Sequence, residues 1–316
     1  MRLLWLLAAA TLVFDAPASD ASVRAGGYAQ RADVRAFAHD TARETGIPYA
    51  VVERTLGEAR YQPKIVALMD RPLVAPPRWF EYAPPFLDAD RVAAGVAFFD
   101  ANAPVLARAE AEFGVPAEIV VAIIGVETYW GRITGRYRVL DALATLAFDY
   151  PRRAAFFRGE LKEFLVFTRE QNIAPTSVQG SFAGAMGLPQ FMPRSYRGYA
   201  VDYDGDGRID LWQSPADTIG SVANFLARHD WARGQPVLLA ASVDATAREA
   251  LLQHLDGGIS ERRALDAWQR EGVNLAAPAA DLAADPVGVL LLEDSADASS
   301  LWIACNNFFV ITRYNK

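Results

Sequence analysis

The chain of 316 residues is 52% hydrophobic and 22% charged, which supplies apolar matter for one large domain or two to three small ones and is not a disordered composition. A net charge of -7 with no dense Lys/Arg run, only the short pairs Arg152-Arg153 and Arg262-Arg263, argues against a nucleic-acid partner. The single cysteine, Cys305, excludes an intramolecular disulfide and a multi-cysteine zinc site, and His39, His229 and His254 form no HxxxH or HExxH spacing, which argues against zinc hydrolase chemistry.

The first 21 residues read as a secretory signal peptide. Arg2 is a short basic region, Leu3 to Phe14 is an apolar run, and "APASDA" offers cleavage after Ala18 or Ala21. The run falls short of the roughly 20 residues that a membrane span needs. No cysteine lies near the cleavage region, so no lipid-modified N-terminus is expected, and no later stretch is long and apolar enough to span. The mature protein is therefore expected in the periplasm, soluble and monomeric.

Residues 22–112 read as an N-terminal helical subdomain. From Asp33 to Gly46, Val34, Phe37, Ala38 and Ala42 share one helical face, and Gly46 ends the helix. "PYAVVERTLGEA" repeats the pattern. Arg71 to Phe86, rich in proline and aromatics, reads as a long ordered loop, and Asp88 to Phe113 is helical again. Residues 113–234 hold helices broken by glycine-rich turns. After Gly234, "QPVLLAA", "PVGVLLLED" and "LWIACNNFFVITRY" read as strands of a smaller β-containing subdomain, 235–316. The expected class is mainly α, within α+β.

One acid stands out. "AIIGVETYWG", Ala122 to Gly131, follows an apolar run with Glu127. With Pro116 at the first helical position, Glu127 shares a face with Val120, Ile123 and Ile124, while Glu118 lies roughly opposite. The expected helix runs to Gly131. A carboxyl turned toward the packed side resists ionisation and can serve as a general acid at neutral pH. A glutamate tied structurally to an arginine or to a helix N-terminus is the competing reading.

A second signature is "DYDGDGRIDLW", Asp202 to Trp212. Asp202, Asp204 and Asp206 occupy positions 1, 3 and 5 of an EF-hand-type loop, Gly207 the sharp turn, and Arg208 position 7, where its carbonyl would serve. Hard oxygens at this spacing suit Ca²⁺. Position 12 is Gln213 rather than the usual bidentate glutamate.

"GVETYWGR" (125–132), "DALATLAFDYPRRAAFF" (141–157), "GSFAGAMGLPQFMPRSY" (180–196) and "NNFFVITRYN" (306–315) together resemble the lytic murein transglycosylase B family, whose core is lysozyme-like, of the goose type. The resemblance implies an enzyme that cleaves peptidoglycan glycan strands with Glu127 as sole acid/base. It implies that Ser181 and Gln190 hydrogen-bond the sugar, that Met186 and Phe191 form apolar walls, and that Arg152 and Arg153 meet stem-peptide carboxylates. Tyr82, Tyr314 and Asn315 would contact substrate or support Glu127. It also implies that Asp217 closes the calcium loop, one residue beyond the usual spacing. Phe225 stands where relatives often carry a tyrosine, and the sequence stops after "TRYN" where relatives usually continue into another helix. A hydrolytic muramidase would need a second carboxylate, with Asp141 and Asp149 as candidates, and a non-catalytic wall-binding protein would keep the cleft without turnover.

Overall fold

A computed structural model describes residues 27–70 and 78–314. The expected signal peptide, the first part of the 71–86 loop and Asn315 lie outside them. The helices run α1 (Ala32–Thr45), α2 (Tyr49–Gly57), α3 (Pro63–Met69), α4 (Trp79–Tyr82), α5 (Ala89–Ala101), α6 (Ala103–Phe113), α7 (Ala117–Thr128), α8 (Val139–Asp149), α9 (Ala154–Glu170), α10 (Pro193–Tyr199) and α11 (Pro215–Ala227). A small ladder, β1 (Tyr137–Arg138) with β2 (Gln179–Gly180), interrupts them. The fold is thus mainly helical, with a helical core and a small antiparallel sheet.

α1 ends where Gly46 takes the left-handed conformation, φ 72°, that glycine accepts freely. The region read as one helix from Asp88 divides at Asn102, where Ala103 and Pro104 open α6. The proline fits there because a first-turn N–H has no helical partner to lose. The stretch read as a loop up to Phe86 contains the short helix α4, closed by the reciprocal bonding of Arg78 and Glu81, and a 3₁₀ turn at Pro84–Phe86.

α8 is the axis of the helical core. Val139, Leu140, Ala142, Leu143, Ala144, Leu146 and Ala147 are wholly buried, so the helix is covered all round. Its polar side chains serve as anchors. Asp141 accepts the Arg60 N–H (3.0 Å), the Thr145 hydroxyl accepts the Gln62 N–H (3.0 Å), and Asp149 accepts the Tyr28 hydroxyl (2.6 Å) and Arg31 Nη1 (2.7 Å). These bonds fasten the N-terminal helices to α8, and residues on both sides of position 113 share one hydrophobic core.

A second core lies under the sheet. β3 (Leu238–Val243), β7 (Val273–Leu275), β8 (Pro286–Glu293) and β9 (Ser299–Ala304) form its body, with β4 (Leu255–Asp256), β5 (Ile259–Ser260) and β6 (Arg263–Ala264) at the margin, all antiparallel. The short helices α12 (Arg248–Leu252) and α13 (Leu265–Arg270) cover it, with Trp268 wholly buried. Cys305 is buried here, and burial pushes its thiol up to about 11, so it stays protonated and unreactive.

The segment "LWIACNNFFVITRY" is not one strand. β9 stops at Ala304 and α14 (Asn306–Tyr314) begins two residues later. Asn307 makes the change of direction. Its buried amide donates to the Ala232 and Gln235 carbonyls (2.9 and 2.8 Å) and its Oδ1 accepts the Ala232 N–H (2.8 Å). The β-branched and aromatic composition suits a strand, but α14 returns to the helical core, where Val310 is buried.

Asp149→Ala removes the acceptor of the Tyr28 hydroxyl and one of the two carboxylates that hold Arg31, the other being Asp33, so stability should fall by about 1–3 kcal/mol. Urea unfolding should show a lower midpoint with an unchanged slope.

Candidate active site

α7 presents Glu127 one residue before its C-terminus. The helix starts at Ala117, with Pro116 as the residue just outside rather than the first helical one, and it ends at Thr128 rather than running to Gly131. Tyr129 and Trp130 both take the left-handed conformation (φ 53° and 50°), followed by Gly131 at 91°. Two non-glycine residues in that region cost about 1–2 kcal/mol each, so the surroundings must impose the turn.

The Thr128 hydroxyl donates to the Leu188 carbonyl (2.8 Å) and accepts the Gly131 N–H (3.1 Å). Trp130 folds back along α7 and donates its indole N–H to the Val121 carbonyl (3.0 Å). Its ring fills the space beside Gly125 on α7 and Gly95 on α5, where an added Cβ would stand 2.4 and 2.9 Å from ring carbons. The two glycines are what let the ring lie flat between the helices.

Glu127 is half-buried, where the helical phase suggested the packed side, and Glu118 is exposed as expected. Tyr314 of α14 lies beside Glu127. Burial, then the Glu127 charge, pushes its phenol far above its ordinary value, so it is a neutral hydrogen-bond donor at any working pH. The Tyr314 hydroxyl donates to the Pro189 carbonyl (2.7 Å), and its ring packs against Phe191 (5.8 Å) and Phe225 (4.9 Å between centroids).

The glycine-rich stretch is built by close backbone approach. Gly180 pairs with Tyr137, and a Cβ there would meet the Ala185 carbonyl at 2.1 Å. Met186 and Phe191 exchange backbone hydrogen bonds (2.8 and 3.0 Å). Ser181 Oγ accepts the Ala183 and Ala185 N–H groups (3.3 and 3.0 Å), which leaves its own proton to donate. Gln190, at φ 50°, donates to the Thr134 and Gly187 carbonyls (3.2 and 2.9 Å).

Gln190, Phe191 and Tyr314 line a cleft of about 430 Å³. Met186 does not wall a cleft. It is wholly buried, because an apolar side chain on the inner side of the tight 186–191 pairing packs into the core. Phe191 is 2% exposed and contributes only its edge. Tyr82 lies elsewhere, in an apolar groove of about 380 Å³ on the flank of α7 with Trp79, Gly125, Val126 and Trp130. Arg152 is exposed, 3.8 Å from Asp70, while Arg153 stacks on Phe156 (4.5 Å), which lines the cleft.

Among the lining residues that escaped the sequence reading are Arg194, Tyr199, His229 and Arg313. Nothing in their spacing marks them. α10, α11 with its following turn and α14 bring them together only in the folded chain. Asp141 and Asp149, candidates for a second carboxylate, are committed to the anchors described above. Glu160 is a buried acid at the cleft. Burial raises its carboxyl, and it accepts the Arg194 N–H (3.0 Å) at the start of α10.

In the aspartate loop, carboxylate oxygens of Asp202, Asp204 and Asp217 lie within 4.8 Å of one another. Asp202 accepts the Gly205 and Gly207 N–H groups (2.7 and 2.8 Å), with Gly207 at φ 87°. Asp217 is buried and accepts the N–H groups of Tyr203 and Asp210 (both 2.7 Å), so it ties the two ends of the loop together. Desolvation raises its carboxyl. Asp206 stands outside this group. It is exposed, and its carboxylate turns back to the Arg208 N–H (2.8 Å). An all-oxygen cluster is a donor set that fits Ca²⁺.

The site thus sets a half-buried acid beside a neutral tyrosine on a mainly helical core. Residues 29–316 match the transglycosylase SLT domain, and the chain belongs to that family, whose relatives are lytic murein transglycosylases. It is 38% identical over 299 residues to membrane-bound lytic murein transglycosylase B of Escherichia coli strain K12, which covers 92% of this chain and 80% of that protein. The soluble lytic transglycosylase SltB1 of Pseudomonas aeruginosa shares its structure with a TM-score of 0.83 at 42% identity, over 90% of this chain and 92% of that one. The Escherichia coli lytic transglycosylase Slt35 in complex with calcium gives 0.81 at 38% identity, over 92% and 89%.

Gly125→Ala forces a methyl group into the Trp130 ring. It should cost about 1–3 kcal/mol of stability and lower turnover by displacing the end of α7. Thermal melting and a turbidity assay on murein sacculi check both.

Proposed function

We propose that this chain cleaves the β-1,4 bond between N-acetylmuramic acid and N-acetylglucosamine in peptidoglycan and leaves a 1,6-anhydromuramoyl end. The observation that carries this reading is the place of Glu127 beside the neutral Tyr314, which lines the cleft, while Asp141, Asp149 and Glu160 are each engaged in holding the fold. A retaining or inverting hydrolase needs a second carboxylate to act as nucleophile or to activate water. A lytic transglycosylase needs none.

Glu127 first protonates the glycosidic oxygen as C1 of the muramoyl unit loses its bond. The substrate's own acetamido group assists at C1. Glu127, now a carboxylate, takes the proton of the C6 hydroxyl, and that oxygen closes onto C1. One group is acid and then base, so no water enters the product. Tyr314 and Gln190 orient the sugar, and Ser181 offers its remaining proton to it.

Asp202, Asp204 and Asp217, with the Arg208 carbonyl, would hold Ca²⁺, which would brace the loop beside the glycine-rich stretch rather than join the chemistry. Asp206 would serve only through a change of rotamer. Residues 1–21 direct the chain to the periplasm in this reading, where its substrate lies. No helix among the described residues is long and apolar enough to cross a membrane.

Mass spectrometry of muropeptides released from purified sacculi should show species one water lighter than hydrolysis products. Glu127→Gln should release none while melting at the wild-type temperature. Ordinary reducing ends would establish a muramidase, and bound but uncut sacculi a wall-binding protein. Chelation should lower the melting temperature and added Ca²⁺ restore it. In Asp202→Asn the shift should shrink, as differential scanning calorimetry would report.

A further inference from the structure

The turn that follows Glu127 is held from α5 at two points one helical turn apart. Gly95 makes room for the Trp130 ring. Arg91, four residues earlier on the same face of α5, lays its guanidinium over the Tyr129 ring, 4.7 Å from the centroid. The backbone of Arg91 is itself fixed, because its N–H donates to the capping carboxylate of Asp88 at 2.9 Å. The same guanidinium also meets the Phe86 ring, at 5.0 Å. Tyr129 carries a second cation, Arg132, at 4.5 Å.

A guanidinium is costly at this place. Arg91 Nη1 is buried and has no hydrogen-bond partner among the described residues. A buried donor left unpaired destabilises the fold, and an apolar side chain would fill the space without that penalty. The two rings offset it, since a desolvated cation is attracted to the face of an aromatic ring. Tyr129 has the complementary need. It stands at φ 53°, a conformation that a residue with a Cβ disfavours, two positions after Glu127. A ring free to leave its place lets the turn relax, and the end of α7 moves with it.

We infer that Arg91 is a positioning residue for the acid. Through its cation–π contact with Tyr129 it holds the left-handed turn, and so the end of α7, in the geometry in which Glu127 works. The inference rests on the reading of Glu127 as acid/base given above. It divides the hold on the turn between two kinds of contact, shape at Trp130 and charge at Tyr129. Arg91 also lines the apolar groove on the flank of α7 with Trp79 and Tyr82, where a direct contact with substrate would act on KM instead.

The test uses Arg91→Met, which keeps the apolar stem and removes the cation, and Arg91→Lys, which returns it. On solubilised glycan strands kcat should fall about tenfold in Arg91→Met, the order of one desolvated cation–π contact, while KM stays within twofold. Lysine should recover most of kcat. In the Tyr129→Leu background the Arg91→Met step should change kcat less than twofold, because the contact is already gone. An unmoved kcat with a lower melting temperature makes Arg91 merely structural and overturns the inference. A change confined to KM, a loss that lysine leaves unrepaired, or a loss that persists in the Tyr129→Leu background also overturns it. If the wild type cleaves no strand, the acid/base reading fails, and crystal structures of the wild type and Arg91→Met still decide the clamp. A displaced turn at residues 129–130 in the variant upholds it, and an unchanged turn refutes it.

Discussion

The seating of Trp130 between Gly95 and Gly125 is the contact on which the site depends. It closes α7 against α5, returns the chain through two left-handed residues, and leaves Thr128 where its hydroxyl meets the Leu188 carbonyl. Glu127 is therefore held between two fixed points, its own helix and the strap that carries Gln190. The strain of the turn is offset by burial of a large ring and by an indole hydrogen bond. Preorganisation of this kind is what the proposed single acid/base role would need, because one group would meet one atom as acid and another as base without moving far.

Buried acids elsewhere do structural work, and that division of labour defines the site by subtraction. Asp141 and Asp149 anchor the N-terminal helices, Asp217 gathers the aspartate loop, and Glu160 meets the start of α10. Each accepts backbone or side-chain donors that satisfy its charge in place. Glu127 differs in being half-buried at the end of a helix, next to a tyrosine whose ring closes the cleft. The sheet and its own small core stand apart from this chemistry but deliver α14, which brings Tyr314 and Arg313 back to the helical core. The C-terminal region thus contributes to a site whose acid lies nearly 200 residues earlier, a separation of the kind that only tertiary packing closes.

Much of this was legible in the sequence. The run before Glu127, the Asp/Gly loop with Gly207 at its turn, and the helical character up to Gly234 all follow from side-chain pattern and backbone chemistry, which are local. Errors fell where local signals compete with long-range packing. "LWIACNNFFVITRY" has strand composition throughout, but Asn307 captures three backbone groups of a distant turn and starts a helix. The aromatic run ending in Phe86 hid α4. Met186 looked like a cleft wall and is core, because a tight turn decides which side of the chain faces inward.

The sequence by itself marked the candidate acid, the candidate Ca²⁺ loop and the family, since each is written in contiguous residues whose spacing has a direct chemical meaning. Tertiary structure alone decided which groups line the cleft beside Tyr314. Arg194, His229 and Arg313 have no shared pattern, and Tyr82 and Arg152 turn to other surfaces. The reason is geometric. A motif constrains neighbours along the chain, whereas a cleft is made by helices that cross, and the residues on its walls are chosen by the angle and depth at which those helices pack.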